Sequence, residues 1–410
     1  MTSKLTVTTA TITIITSMLG AGINFMPSAF ESIGYIYAGF LMVFITLLTF
    51  FSLYAVSFAA SKQKNTKNMT YSSIGYDKSY ILGFSVDMSI VLSQFLVGLA
   101  FFNYVIELAV LFSSGLSKDD GDPKYKYYKL LFMSAIGAVF YMLSLKKDLS
   151  SLRFTSYAGV GSVMYLLCLM TFFNFFIKDK VCVGELKSKN NDYSSGVSKI
   201  ILAMCCQVNM VKVYMEMEPK STKNILIVSM VSALVGGVIY SAVGYFGYKV
   251  LGDEVIKQDL IKLFCKESSS INVFLANEYP KIKFLPSIAI VGAMVVLLGS
   301  FPLQLNPAAA TIVKLFANER NAEKVRITSV TVMCGSMFLI NLYPGLSLDV
   351  LLNIVGAIFN NALSFFFPCM YYILSCKKTG PITILSGFII IFSVLAGSYI
   401  LYNIIKDLVK

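Results

Sequence analysis

The sequence predicts an all-α polytopic membrane protein with eleven transmembrane helices, and three observations carry that prediction. Hydrophobic residues make up 56% of the 410 positions and charged residues 14%, against roughly 25% charged in soluble domains. No stretch of soluble composition is long enough to fold by itself, so the chain reads as a single transmembrane domain over 1–410. Eleven apolar runs come close to or exceed the roughly 20 residues that cross a bilayer. They are too long for barrel strands of about ten alternating residues.

In order, the first six spans are Thr6 to Phe30, Tyr35 to Ala60, Ile81 to Phe112, Tyr127 to Leu145, Phe154 to Ile177 and Val197 to Met217. Five follow: Ile225 to Val250, Phe284 to Phe316, Ile327 to Tyr343, Leu348 to Leu374 and Ile382 to Ile405. The first run continues past Pro27 with no small-residue cleavage site, so it is a retained helix rather than a signal peptide. Segments 5–177 and 197–375 then form two five-span halves of opposite orientation, and 381–405 is an extra helix.

The net charge of +12 has a topological explanation. Lys62, Lys64, Lys67, Lys146, Lys147, Lys220, Lys223, Lys324, Arg326, Lys377 and Lys378 all fall in short loops on one face. Positive-inside counting makes that face cytosolic, with the N-terminus inside and the C-terminus outside. The expected partners are therefore lipid and a small solute, with no nucleic acid, and the protein is expected to work as a monomer. Only Cys182 and Cys265 fall in non-cytosolic loops, where they form either one disulfide or two free thiols.

Histidine is absent, which removes imidazole bases, zinc and haem ligands, and triad nucleophiles. Asp87 and Glu107 lie about 30 Å apart along span three at 1.5 Å per residue, too far to act as a catalytic carboxylate pair. They are read as interfacial, and no enzyme is expected. Tryptophan is also absent, leaving tyrosines such as Tyr125, Tyr127, Tyr128, Tyr371 and Tyr372 to form the interfacial belt.

The functional signal lies where helices should break. Span one holds Gly20-Ala21-Gly22 with Pro27 five residues on, and open backbone at membrane depth is tolerated only beside a protected cavity. A half-helix starting there would present free N–H groups and a positive dipole end to a substrate carboxylate; close helix packing explains the same glycines. Span six has a polar interruption, Met204-Cys205-Cys206-Gln207-Val208-Asn209. Interruptions at corresponding positions of two halves point to a midplane site in a secondary transporter. Span eight adds Pro302 and Pro307 around Gln304 and Asn306, and span three adds Gln94, read as facing the cavity.

Several of these stretches resemble the amino acid/auxin permease family. Gly20-Ala21-Gly22-Ile23 followed by Pro27-Ser28-Ala29-Phe30 is similar to that family's G-S-G-I-L-G-L-P-Y-A opening. Gln94 with Tyr104, Tyr214, Gly244-Tyr245, Gly247-Tyr248, Leu251-Gly252-Asp253, the paired prolines, and Leu352-Asn353-Ile354-Val355-Gly356-Ala357 leading to Phe367-Pro368 also resemble its patterns. The resemblance is strongest to the branch of sodium-coupled neutral and vacuolar amino acid transporters.

That resemblance implies a five-plus-five inverted-repeat fold with discontinuous helices one and six, alternating access, and amino acids, neutral ones, as substrates. The substrate carboxylate would meet backbone at Gly20, Ala21 and Gly22, and its ammonium carbonyls near Thr16 and Cys206. Gln94 and Gln207 complete the implied substrate shell, and Thr16 and Ser300 an implied sodium site. Two positions depart from the branch: Thr16 stands where it has asparagine, and Gln207 where members have histidine. The coupling ion is thus left as Na⁺ or H⁺, with no other cofactor, and the membrane as plasma or vacuolar/lysosomal. A sensor or uncoupled facilitator using the same pocket is the alternative.

Overall fold

The computed structural model describes residues 5–63, 69–114, 123–145, 153–176, 192–256, 259–318, 320–343, 348–376 and 380–409. Among them, nine helices are long and apolar enough to cross a membrane, and a bent pair in the first expected span brings the number to ten if it is counted as one broken span. This is a multi-pass, all-helical membrane protein.

Span one begins as α1 (Val7–Met18), whose N-cap Thr6 side chain accepts a hydrogen bond from the Thr9 N–H. It unwinds at Leu19 and Gly20, passes through a tight 3₁₀ turn (Ala21–Phe25) and resumes as α2 (Met26–Ile33) with Pro27 in its first turn. Proline suits that position because its missing N–H would have no helical partner there. The two halves meet at 53°. Spans two to five are α3 (Tyr35–Ser61), α5 (Tyr80–Ser114), α6 (Pro123–Leu145) and α7 (Arg153–Phe176), with a short helix, α4 (Tyr71–Tyr76), between spans two and three. At 35 residues, α5 is about 50 Å long, so it projects beyond a hydrocarbon core of about 30 Å.

Span six is also broken, into α8 (Tyr193–Ala203) and α9 (Gln207–Glu216). Span seven is α10 (Thr222–Leu251); two loop helices follow, α11 (Leu260–Cys265) and α12 (Ser270–Glu278), which were not expected from the sequence. Span eight, α13 (Leu285–Phe316), runs unbroken through both Pro302 and Pro307. Each proline removes only one i→i−4 bond, and packed neighbours keep the helix continuous.

The ninth expected span is α14 (Ala322–Asn341). Its 20 residues reach about 30 Å, yet it is not among the helices apolar enough to count, because Glu323, Lys324 and Arg326 crowd its start. Arg326 donates to the Leu145 carbonyl at the end of α6 (2.6 Å), satisfying an orphan helix-terminal acceptor.

Span ten starts as α15 (Leu348–Ile354), widens through two π-helical segments (Val355–Asn360 and Ala362–Phe366) and ends as α16 (Phe367–Ser375). Pro368 withholds the N–H that the Ser364 carbonyl would take in a regular α-helix, which favours the wider turn. Side chains pin it from both sides: Ser93 donates to Asn360 Oδ1 (2.6 Å), and Asn361 donates to the Ser393 carbonyl (2.7 Å) of the last helix, α17 (Pro381–Val409).

The aromatic belt differs from expectation. Tyr127 is exposed, but Tyr125, Tyr371 and Tyr372 are buried in the bundle. Cys265 is a free thiol, and its expected partner Cys182 lies outside the described residues.

Candidate functional site

The two helix breaks face each other. A Cβ placed on Gly22 would sit 3.0 Å from Ala203 Cβ and 3.1 Å from its Cα, so glycine lets the turn of span one press against the end of α8. Gly20 is different: nothing lies within 4 Å of where its Cβ would be. Its backbone borders a narrow recess lined also by Ile23, Asn24, Leu166, Ile261 and Ala293. The Ile23 N–H bonds back to the Gly20 carbonyl (3.3 Å), closing the tight turn.

Each break is held by one side chain. Tyr240 on α10 is fully buried and donates to the Met18 carbonyl (2.6 Å), an acceptor freed where α1 ends. At span six, Gln207 Oε1 accepts from the Cys206 N–H (2.8 Å) and its Nε2 donates to Ser52 on α3 (3.0 Å). A backbone opening in low dielectric is stable only when its polar groups are paired, and these two side chains supply the pairing. Tyr240→Phe leaves the Met18 carbonyl without its donor, at a cost of about 1–3 kcal/mol. The expected outcome is a lower melting temperature of the purified protein, and an unchanged one would contradict this role.

The residues read from the sequence are only partly united. Gly20 and Gly22 lie at the span-one break, with Ala21 between them in the backbone turn; the Ala21 side chain lies outside the described residues. Cys206 is buried at the opposite break. Gln207 is at the site, but its amide is spent on the break itself. Thr16 donates to the Thr13 carbonyl of its own helix (2.9 Å), and among the described residues no hydrogen bond joins it to Ser300, half-buried on α13. Gln94 is half-buried, with its Oε1 enclosed and unpartnered. Two roomier grooves, about 390 and 580 Å³, open between helices on apolar outer surfaces carrying Phe338 and Ile288, and neither reaches the breaks.

Sequence reasoning missed the charged groups that flank the site. Glu31 in α2, after the first break, and Lys199 in α8, before the second, are both buried, with Lys199 donating to Ser28 (3.3 Å). Asp87 is buried within the bundle, 1% exposed, and pairs with Lys314 at 3.0 Å. At the far end of α5, Glu107 pairs with Lys262 (2.6 Å), and Tyr104 donates to Asp259. Lys262 also lies 5.3 Å above the Tyr104 ring, whose centroid is 5.5 Å from that of Phe25 in the broken turn. Burial raises the Asp259 carboxyl above its ordinary value, opposed by Lys262 and by the Tyr104 hydrogen bond. Together these contacts fasten α11 over the recess. A carboxylate inside a predicted span was the available signal, because intramembrane charge demands a partner.

A helical multi-pass bundle with two apposed helix breaks defines a polytopic membrane protein. The chain belongs to the transmembrane amino acid transporter protein family, whose sequence model matches residues 3–406; this is a family of transporters, not of enzymes. Vacuolar amino acid transporter 5 of Schizosaccharomyces pombe is 25% identical over 380 residues, covering 90% of this chain and 85% of that protein. Vacuolar amino acid transporter 6 of Saccharomyces cerevisiae is 22% identical over 313 residues, covering 73% and 64%. A putative sodium-coupled neutral amino acid transporter 8 of Xenopus tropicalis is 22% identical over 310 residues, covering 70% and 66%.

Proposed function

We propose that the protein is a secondary active transporter of neutral amino acids, working by alternating access around the breaks in spans one and six. The observation that carries this reading is their apposition, Gly22 against Ala203, with each opening held by a dedicated side chain. Supporting it, each proposed half begins alike: 12 helical residues before the first break and 11 before the second. The halves are 5–177 and 197–375, related as inverted repeats, with α14 as the ninth span and α17 as the extra eleventh.

On this reading the substrate carboxylate meets the backbone at Gly20, Ala21 and Gly22. Its ammonium meets carbonyls near Thr16 and Cys206, Gln94 contributes its unpartnered oxygen, and Thr16 and Ser300 are the candidate sodium ligands. The basic loops support a cytosolic N-terminus, and the names of the vacuolar relatives favour a vacuolar membrane over the plasma membrane. Uptake of labelled amino acids into proteoliposomes tests this directly, with a Na⁺ gradient imposed first and a pH gradient second. Uphill accumulation under one gradient is the expected result and names the ion. Mere equilibration would replace coupled transport by facilitated exchange.

A further inference from the structure

The short helix α4 is a part of the molecule that the proposed transport cycle leaves unexplained. Six residues are too few to hold a helix in place by themselves, so its position is set by what it touches. On one side it meets span ten through a reciprocal tyrosine arrangement. The buried Tyr71 donates to the Leu363 carbonyl inside a π turn (2.6 Å), and Tyr371 donates back to the Tyr71 carbonyl (3.0 Å). The helix also packs against α9, the half of span six that follows the break.

On its other side α4 is fixed to spans three and eight. Gly75 packs so closely on span three that an added Cβ would lie 3.0 Å from Gly83 Cα. Lys314 reaches across from α13 and gathers three groups: its Nζ is 2.8 Å from Ser72 Oγ, 3.0 Å from Asp87 and 4.4 Å above the Tyr76 ring. Two of these groups belong to α4 and one to α5. A single lysine thus ties the loop helix to the long helix of span three.

We propose that α4 is the closure on the membrane face that carries the chain's N-terminus. The Asp87–Lys314 pair latches it to spans three and eight, and Tyr71 plugs the path to the span-six break. The proposal rests on the breaks being the transport site, and it specifies how that site is sealed from one side. Opening requires α4 to leave either span ten or the lysine clamp. The clamp is asymmetric: Asp87 is buried, whereas the Lys314 side chain is 40% exposed. Losing Lys314 strands a buried carboxylate, while losing Asp87 leaves an ammonium that can turn to water.

The test reads accessibility rather than flux, so it remains informative even if no amino acid is carried. The full chain is placed in vesicles, a membrane-impermeant methanethiosulfonate is added to one side at a time, and labelling of each native cysteine is followed by mass spectrometry. Cys376, five residues beyond Tyr371, marks the face on which α4 lies. Tyr71→Phe, which keeps the ring and removes one hydrogen bond, and Lys314→Met should each speed labelling of Cys205 from that face alone by about two- to tenfold. Wild-type rates in both variants would overturn the proposal. So would an equal acceleration at the buried Cys369, which would mean a loosened bundle instead of an opened closure.

Discussion

Gly22→Val is expected to cut uptake severely while leaving a folded protein in the membrane. Even the first added carbon would stand 3.0 Å from Ala203 Cβ and 3.1 Å from its Cα, and the second of these is backbone that cannot rotate aside. Two further methyl groups worsen the overlap, and overpacking of this kind costs about 1–3 kcal/mol. The strain falls on the contact between the two breaks, so it is relieved by pushing them apart rather than by unfolding the remaining helices. Uptake should drop about 5- to 150-fold, with the size-exclusion profile of the purified variant unchanged. Gly22→Ala, which needs a shift of only a few tenths of an ångström, should retain part of the activity. Full activity in the valine variant would show that the breaks need not touch.

Gln207→Leu has the second large effect. Gln207 is fully buried, and its amide pairs both the Cys206 N–H and the Ser52 hydroxyl. Leucine fills the volume but leaves the buried Cys206 N–H without an acceptor, about 1–3 kcal/mol, while Ser52 keeps only its bond to the Thr49 carbonyl. Span six then loses what holds it open. The expected result is a fall in melting temperature together with at least about a tenfold loss of uptake, because 1.4 kcal/mol already corresponds to a factor of ten. Gln207→Glu retains an acceptor for the Cys206 N–H and should be milder. Equal melting temperatures in wild type and the leucine variant would contradict the role assigned to this amide.

Both breaks were legible in the sequence because their causes are local. Gly20-Ala21-Gly22 with Pro27, and the polar run through Cys206 and Gln207, interrupt otherwise apolar helices. What the side chains do there was less legible. Gln207 reads as a ligand for a substrate until its two partners are seen, one of them 155 positions away. The π turns of span ten depend on Pro368 and equally on Ser93 and Ser393, which reach Asn360 and Asn361 from other helices.

The partners of Asp87 and Glu107 were illegible for the same reason. Each sits near an end of a helix, and the lysines that pair with them arrive from 227 and 155 residues downstream. Prolines carry the opposite lesson. Pro302 and Pro307 weaken α13 locally, yet the packed bundle keeps that helix continuous.

The central claim is that a solute binds between the two breaks, and Gly20 offers the most direct way to test it. Open space surrounds the point where its Cβ would lie, so Gly20→Cys introduces a thiol into the recess without displacing a neighbour. Its rate of alkylation is measured by mass spectrometry with and without each neutral amino acid. The account predicts that the transported amino acids, and only those, slow alkylation at position 20 in proportion to their occupancy. Alkylation at one unchanging rate, in the presence of amino acids that the same protein demonstrably transports, would place the substrate elsewhere and contradict the account.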